Sequence, residues 1–208
     1  MIPHRTPTRS AASIVLTTAF VALAAAAIGC GGGSSSTTTS SAPVAAFAPD
    51  TPTPTAGTVA LLPGSSSGAS VNVRVTVTGV PSFFGAAFRI NYDTTALLFN
   101  GMTDTNSLLR GVPATDDDHL FIFEEHGSIP GEIIITATRL DPTFAGPVNV
   151  TTTADLVVLN FTARKVILPN ADEGRLEFGD PKEACDGSVA PCGPITVTWS
   201  GGGVSAHQ

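Results

Sequence analysis

Two alternating segments joined by a tight corner constrain the fold of this chain more than any other feature. Residues 71–99 read VNVRVTVTGVPSFFGAAFRINYDTTALLF. In the first segment Val71, Val73, Val75 and Val77 alternate with Asn72, Arg74, Thr76 and Thr78. In the second, Phe84, Ala86, Phe88, Ile90 and Tyr92 alternate with Gly85, Ala87, Arg89 and Asn91. Because successive side chains of a strand point to opposite faces, the stretch predicts two half-buried strands, typical of a β-sandwich.

The rest of the chain predicts further short strands separated by turns. Gly and Pro number 21 and 16, and only 13% of residues are charged, a mixture that disfavours helices. No stretch keeps helical apolar spacing. Further strands are expected at Thr58–Leu62, Leu97–Phe99, Leu120–Phe123, Glu132–Thr138, Asp155–Val166, Arg175–Phe178 and Ile195–Trp199. We therefore predict an all-β fold, a jelly-roll β-sandwich of about nine strands.

Residues 1–30 have the pattern of an export signal. His4, Arg5 and Arg9 precede an apolar run from Ala11 to Ile28, which ends in Ala-Ile-Gly-Cys at Cys30. These last four residues resemble a bacterial lipobox, which implies that Cys30 is lipidated. Ordinary secretion and an uncleaved membrane anchor are the alternatives. By the same analogy Gly31, in place of Asp, implies delivery to an outer membrane or the cell surface.

The mature chain is expected to be a tethered, acidic domain. Residues 31–56 are rich in Gly, Ser, Thr and Pro and predict a flexible tether, which leaves residues 57–208 as the domain. Removal of the signal lowers Lys and Arg from 10 to 8 against 17 Asp and Glu, so the net charge moves from −7 to −9. This charge argues against nucleic acid and anionic headgroups as partners. Contact with a membrane is expected only through the lipid anchor.

Two of the three cysteines are left for structure once Cys30 is assigned to the lipid. In an exported chain Cys185 and Cys192 are expected to form a disulfide. A disulfide that closes this short loop is expected to stabilise the folded domain by about 2.5 kcal/mol, because it restricts the unfolded chain. A metal or redox role is the alternative, but the spacing is not Cys-x-x-Cys and no histidine is near.

The order of motifs resembles one known family. The segment 71–99, with its Gly-Val-Pro corner and its Tyr-Asp turn, is similar to the opening half of cohesin domains, the dockerin-binding modules of cellulosomes. Later segments also match in order: NSLLRG, PGEIIITAT, LVVLNFTARKV and GRLEFGD. The resemblance covers about residues 57–204. It implies a nine-stranded jelly roll, shared with some carbohydrate-binding modules, and a non-catalytic role in docking a protein partner.

The outer face of the second strand departs from the family pattern. In the best-studied cohesins this strand carries Asn and Asp as dockerin contacts, and the matching positions here are Gly85 and Ala87. Arg89, Asn91 and Arg139 remain as polar candidates, so these five residues are the predicted partner-binding set. The chain has no D-x-D-x-D-G calcium loop of the dockerin type.

Other kinds of site find weaker support. A metal could be held by Asp116, Asp117, Asp118, His119, Glu124, Glu125 and His126, although an acidic run on a loop is usually only solvated. Acid–base catalysis could use Glu124 or Glu132 with Asp141, but nothing fixes two carboxylates at a defined separation. We therefore expect no metal, no cofactor and no enzymatic activity.

Sugar binding is the remaining alternative of a different class. Trp199 and Tyr92 are the single Trp and the single Tyr of the chain. One residue of each type does not form the exposed aromatic row that stacks on sugars, so both are expected to pack in or beside the core. The sequence thus favours a lipid-anchored, cohesin-like binding module. A polysaccharide-binding module and a purely structural envelope lipoprotein are the alternatives.

Overall fold

A computed structural model describes residues 43–110, 119–125, 129–140, 146–187 and 192–208, with only the backbone described for 119–125. Several predicted features lie outside these ranges. They are the signal at 1–30 with Cys30, most of the tether, Asp116–Asp118, His126 and Asp141.

The described residues form eleven strands and one short 3₁₀ turn, at Asp172–Gly174. The strands are β1 (Val44–Pro49), β2 (Thr58–Ser67), β3 (Ser70–Asn91), β4 (Leu97–Thr103), β5 (His119–Glu125), β6 (Glu132–Arg139), β7 (Val148–Ala163), β8 (Arg175–Asp186), β9 (Gly193–Ile195), β10 (Thr198–Ser200) and β11 (Gly202–His207). The all-β prediction is confirmed. The predicted strand number is two short, because β1 and β11 were missed and the last predicted strand is divided into β9 and β10, whereas the two strands predicted between Val71 and Tyr92 form the single strand β3. In the described part of the chain, no helix has the length and apolar character needed to cross a membrane.

Strand β3 belongs to both layers of the sandwich. Its first half, up to Thr78, pairs with β2 and β7, and its second half, from Phe83, pairs with β6 and β8. Between the halves Gly79 and Ser82 have φ angles of 58° and 54°, so the chain turns sharply at the Gly-Val-Pro-Ser corner. One layer therefore has the order β10-β2-β3-β7-β4, and the other has the order β5-β6-β3-β8-β11-β1.

The core lies between these layers and matches the predicted inner faces, with one exception. The four alternating valines of β3, from Val71 to Val77, together with Phe88 and Ile90, are at most 1% exposed. Phe84, however, does not join this core. A register shift between Phe83 and Gly85 sends Phe83 into the core, and Phe84 is buried elsewhere, on the other side of the sheet. The predicted position of Phe84 is therefore wrong, because the bulge inserts an extra residue into a simple alternation.

Strand β1 corrects the predicted tether. It lies within residues 31–56, pairs antiparallel with β11 along its whole length, and buries Ala45 and Phe47. The segment is short and bordered by prolines, so its alternation was hidden in a Pro- and Ala-rich composition. Just beyond β1, Arg175 donates two hydrogen bonds to the carboxylate of Asp50, at 2.7 and 2.8 Å, and holds the pKa of Asp50 below its ordinary value. Strand β1 therefore belongs to the sandwich and not to the tether.

Candidate functional site

The second half of β3 lies between β6 and β8, and its outer side chains form part of a regular grid. Antiparallel pairing aligns the three strands in four rows. From one end to the other these are Thr138, Gly85 and Cys185; Thr136, Ala87 and Glu183; Ile134, Arg89 and Gly179; and Glu132, Asn91 and Glu177. Neighbouring strands are about 4.8 Å apart and successive rows about 6.7 Å apart, so the grid is roughly 20 Å long. We call it the outer face of β6, β3 and β8.

Small side chains in the first two rows leave a groove in this face. Its volume is about 490 Å³. Phe84 forms part of it, because the bulge turns this ring to the outer side, where Gly187 passes so closely that a Cβ on Gly187 would lie 2.6 Å from the ring. The lining residues are Phe84, Ala86, Ala87, Thr136, Thr138, Arg139, Leu140, Glu183, Cys185 and Cys192. The groove is thus mainly apolar, with polar groups at its border.

Gly85 is small for a steric reason. A Cβ at this position would lie 2.7 Å from the carbonyl oxygen of Ala137 and 2.7 Å from Oγ1 of Thr138. Contacts this short require β6 to shift, because one of the two atoms belongs to its backbone. Ala87, one row away, is partly exposed. The two positions therefore differ: Gly85 has no room for a side chain, whereas Ala87 opens into the groove.

Beyond the groove, the charge of Arg89 is already offset. Its Nη1 donates to both carboxylate oxygens of Glu132, at 2.9 Å each, and the Glu132 side chain is only 9% exposed. Asn91, in the last row, is exposed and lies against Gly179. The lower half of the face is therefore polar, but its central charges neutralise each other.

Arg139 lies at the border of the groove and holds two loops in place. Its Nε donates to the carbonyl oxygen of Leu109 at 3.1 Å, and its Nη1 donates to that of Gly146 at 2.8 Å. Four of the five predicted partner-binding residues lie on β3, in the middle of the outer face. The fifth, Arg139, lies at the edge of that face. Its guanidinium supports the edge of the groove through these two backbone contacts.

Sequence reasoning missed three polar residues of the groove, Thr136, Thr138 and Glu183. Thr136 and Thr138 alternate with buried Ile135 and Ala137 in β6, so the alternation of EIIITAT could have identified them. Glu183 had no such signal, because its place beside Ala87 depends on a register shift in the distant strand β8. Within the ranges that the structure describes, Glu183 has no ion pair, so its carboxylate gives the groove a negative border.

A disulfide closes the upper end of the groove. Cys185 and Cys192 are bonded in the structure, with their Cα atoms 5.5 Å apart. Both residues line the groove. The bond therefore belongs to the wall of the candidate site as well as to the fold.

Loss of this disulfide is expected to weaken the domain measurably. The double variant Cys185→Ser/Cys192→Ser should lower the free energy of unfolding by about 2 kcal/mol, because the unfolded chain gains loop freedom. Urea titration of the variant and of the reduced native domain should give equal midpoints. Two free thiols in the oxidised native domain, detected by mass spectrometry, would show that this pairing is wrong.

Of the alternative sites, the metal candidates at 116–119 and 124–126 and the catalytic candidates Glu124 and Asp141 lie outside the described ranges or have only their backbone described. Glu132 is engaged by Arg89, and no group of three metal-ligating side chains lies close together among the described residues. Tyr92 is 8% exposed and packs on Phe161, and Trp199 packs on Phe88 and Phe178. As predicted, both aromatic residues pack in or beside the core.

The fold and the outer face of β6, β3 and β8 together define the class of protein: a β-sandwich module with an exposed sheet surface available for binding. A family model described as the cohesin domain matches residues 61–184, more than half of the chain. The chain therefore belongs to the cohesin domain family, whose members are non-catalytic protein-docking modules. A search of curated protein sequences found no significant match.

Solved cohesin structures resemble the domain. A type II cohesin from the cellulosome of Acetivibrio cellulolyticus shares 14% identity over 79% of this chain and 95% of its own, with a TM-score of 0.50, which shows the shared fold. The sixth cohesin of scaffoldin B from the same organism, in complex with a mutant Cel5 dockerin, shares 17% identity over 74% and 93%, with a TM-score of 0.48. A type I cohesin–dockerin complex from Clostridium thermocellum shares 16% over 66% and 83%, with a TM-score of 0.46.

Proposed function

We propose that this protein is an exported, lipid-anchored docking module that binds a dockerin-like protein partner on the outer face of β6, β3 and β8. The observation that supports this most directly is the groove around Ala87. It offers apolar surface in the centre of a regular sheet face, and the polar groups surround it. Protein interfaces commonly have this arrangement of an apolar centre and a polar rim.

The electrostatics of the face suit docking. Covering Arg89 and Glu132 together removes a paired charge from water, and the pair keeps its two hydrogen bonds. Glu183 is the carboxylate at the groove without an ion pair in the described chain. A partner with an aliphatic side chain for the groove and a basic group for Glu183 would therefore complement the face.

The size of the face sets a requirement on the partner. Three strands and four rows offer on the order of 300 Å², whereas a stable interface buries about 800 Å² on each side. Strand β5 pairs with β6 at the outer edge and adds a fourth strand to the same sheet. A partner must therefore also cover β5 or the loops around the groove.

The same proposal includes the anchor and the location. Lipidation at Cys30, followed by a Gly/Ser/Thr tether, would hold the domain at the outer membrane or cell surface. Mass spectrometry of the chain purified from its own host tests this directly. A chain that begins at Cys30 and carries the added mass of lipid supports the anchor, and an unmodified cysteine or an intact signal contradicts it.

Titration with candidate partners tests the docking proposal. Residues 43–208 would be titrated by calorimetry with calcium-loaded dockerin domains encoded in the same genome. Thr136→Arg fills the groove with a long charged side chain, so we expect at least about tenfold weaker binding. Leu98→Arg introduces the same side chain at an exposed position of β4, in the other layer, and should bind normally.

Two outcomes contradict the proposal. One is that none of these dockerins binds the native domain, and the other is that Thr136→Arg and Leu98→Arg bind equally well. Retention of the native domain on insoluble glucans or chitin, together with no dockerin binding, would support the polysaccharide alternative. Unfolding midpoints of the two variants should be measured first, so that a loss of binding is not a loss of folding.

A further inference from the structure

An exposed apolar patch lies where the tether enters the domain. Six large apolar side chains are exposed among the described residues, and three of them, Val44, Val166 and Leu168, are placed close together by the pairing of β11. They are 48%, 44% and 69% exposed, and Leu168 is the most exposed of the six. Apolar side chains gathered in this way mark contact surfaces more often than single exposed ones do.

Backbone pairing puts these residues on one side of the sheet. β11 pairs with β1 on one edge, with Val44 opposite His207, and it forms a bridge on the other edge, with Ile167 opposite Ala206. Ala45, Ala206 and Ile167 all point into the core. The residues beside them in sequence therefore point outward, and they form the entry patch, defined as Val44, Val166 and Leu168.

The length of the tether identifies what the patch faces. Thirteen residues separate Cys30 from Val44, and a Gly- and Ser-rich sequence of this length is expected to span about 20 Å on average. A domain of this size is about 40 Å across. If Cys30 is held in a bilayer, the end of the domain that carries Val44 is the end that meets the lipid surface.

The charges beside the patch favour a neutral surface. Lys165 is paired with Glu173 at 2.6 Å, and Arg175 is paired with Asp50. Arg164 has no ion pair within the described ranges, so it is the one cation here that is not offset. One cation in an acidic domain gives little attraction to anionic lipid, whereas aliphatic side chains enter the headgroup boundary of any bilayer.

We propose that the entry patch rests on the lipid bilayer and orients the domain, an inference that depends on the proposed anchor at Cys30. The patch lies beyond the point where Gly203 of β11 pairs with Arg175, at the start of β8. The groove lies near the end of β8, at Cys185, roughly 25 Å away along the strands. A domain seated on the patch therefore presents its groove away from the membrane.

Methyl NMR in nanodiscs tests this orientation. The lipidated chain, residues 30–208, would be labelled at Val and Leu methyls and placed in phosphatidylcholine nanodiscs with a spin-labelled lipid. Signals of Val44, Val166 and Leu168 should fall at least about twofold relative to unlabelled lipid, since the patch lies within the headgroup region. Leu140, which is 50% exposed at the groove, and Val148, which is paired with Phe83 at the same end of the sandwich, are internal controls and should keep their intensity.

A variant separates the patch from the anchor. In Val166→Ser/Leu168→Ser the lipid remains, so the chain should stay on the nanodisc while the Val44 signal recovers to the level of Leu140. Uniform attenuation of all these methyls, or none at all, would overturn the proposal. Concentration-dependent broadening of the patch without spin label would show a second copy of the chain there instead, and would also overturn it.

Failure of the proposed anchor remains distinguishable from failure of this inference. If the chain from its own host lacks lipid, a maleimide lipid can be attached to Cys30, because the other two cysteines are bonded to each other. Loss of the methyl pattern in that tethered chain refutes the orientation. Dockerin binding by residues 43–208 is measured without any lipid and is unaffected by either result.

Discussion

Phe161→Ala is expected to lower the free energy of unfolding by about 4 kcal/mol. Phe161 is 1% exposed and lies in β7, where its ring centroid is 5.5 Å from that of Tyr92 and 5.4 Å from that of Phe99. The substitution removes contacts to the end of β3 and to β4 at once, and it leaves a cavity between aromatic rings whose pairing adds stability. The expected fall in melting temperature is roughly 8 to 16 °C for a domain of this length.

Two further variants make this result specific to the core. Phe161→Leu fills most of the volume and should cost about 1 kcal/mol. Leu98→Ala removes an aliphatic side chain that is 40% exposed in neighbouring β4 and should cost less than about 0.5 kcal/mol. A loss below about 1.5 kcal/mol for Phe161→Ala would show that this aromatic cluster is not a main part of the core.

The inner faces of the sandwich could be predicted because their signal is local. The valines of β3 and the Leu159, Phe161 and Ala163 alternation of β7 show the period of two directly in the sequence, and the structure buries all of them. The Tyr-Asp turn could be predicted in the same way. Asp93 accepts hydrogen bonds from the side chain of Thr95 and from the backbone N–H of Thr95, the latter at 2.7 Å, and these bonds lower the pKa of Asp93 and stabilise the turn.

Features that depend on distant strands could not be predicted. The bulge that turns Phe84 outward arises where β3 leaves one set of partners for another. The groove needs Cys185 and Glu183, which are about a hundred residues from Gly85 and Ala87. Strand β1 forms only because β11, at the other end of the chain, provides its hydrogen-bonding partner. No window of neighbouring residues contains these relations.

The outer face of β3 could be predicted from the sequence only in part. Its register could be predicted, and so could the absence of the family's Asn and Asp at positions 85 and 87. The sequence could not show that Gly85 and Ala87 lack these side chains for different structural reasons. Gly85 is enclosed by Ala137 and Thr138, whereas Ala87 opens to the groove.

Gly85→Asn is therefore expected to destabilise the domain by about 3 kcal/mol and not to restore a family contact. Its Cβ alone would meet a backbone oxygen at 2.7 Å, so β6 must move before the amide finds any partner. Gly85→Ala should already cost about 2 kcal/mol. Ala87→Asp should cost less than about 1 kcal/mol, mainly through repulsion from Glu183 across the strand pair. Urea titration of the three variants measures these differences.

Gly203→Ala is the matched control for the two substitutions at Gly85. Gly203 is also a strand glycine, but a Cβ there would have its nearest neighbour at 3.8 Å, so alanine fits and should be neutral or stabilising by up to about 1 kcal/mol. Equal losses at both glycines would show that the close approach of β6 is not what makes substitution of Gly85 costly. A stable Gly85→Asn domain would contradict the steric argument. In that case an asparagine would fit at position 85, and the partner, not the packing of β6, would explain why the family's residue is absent there.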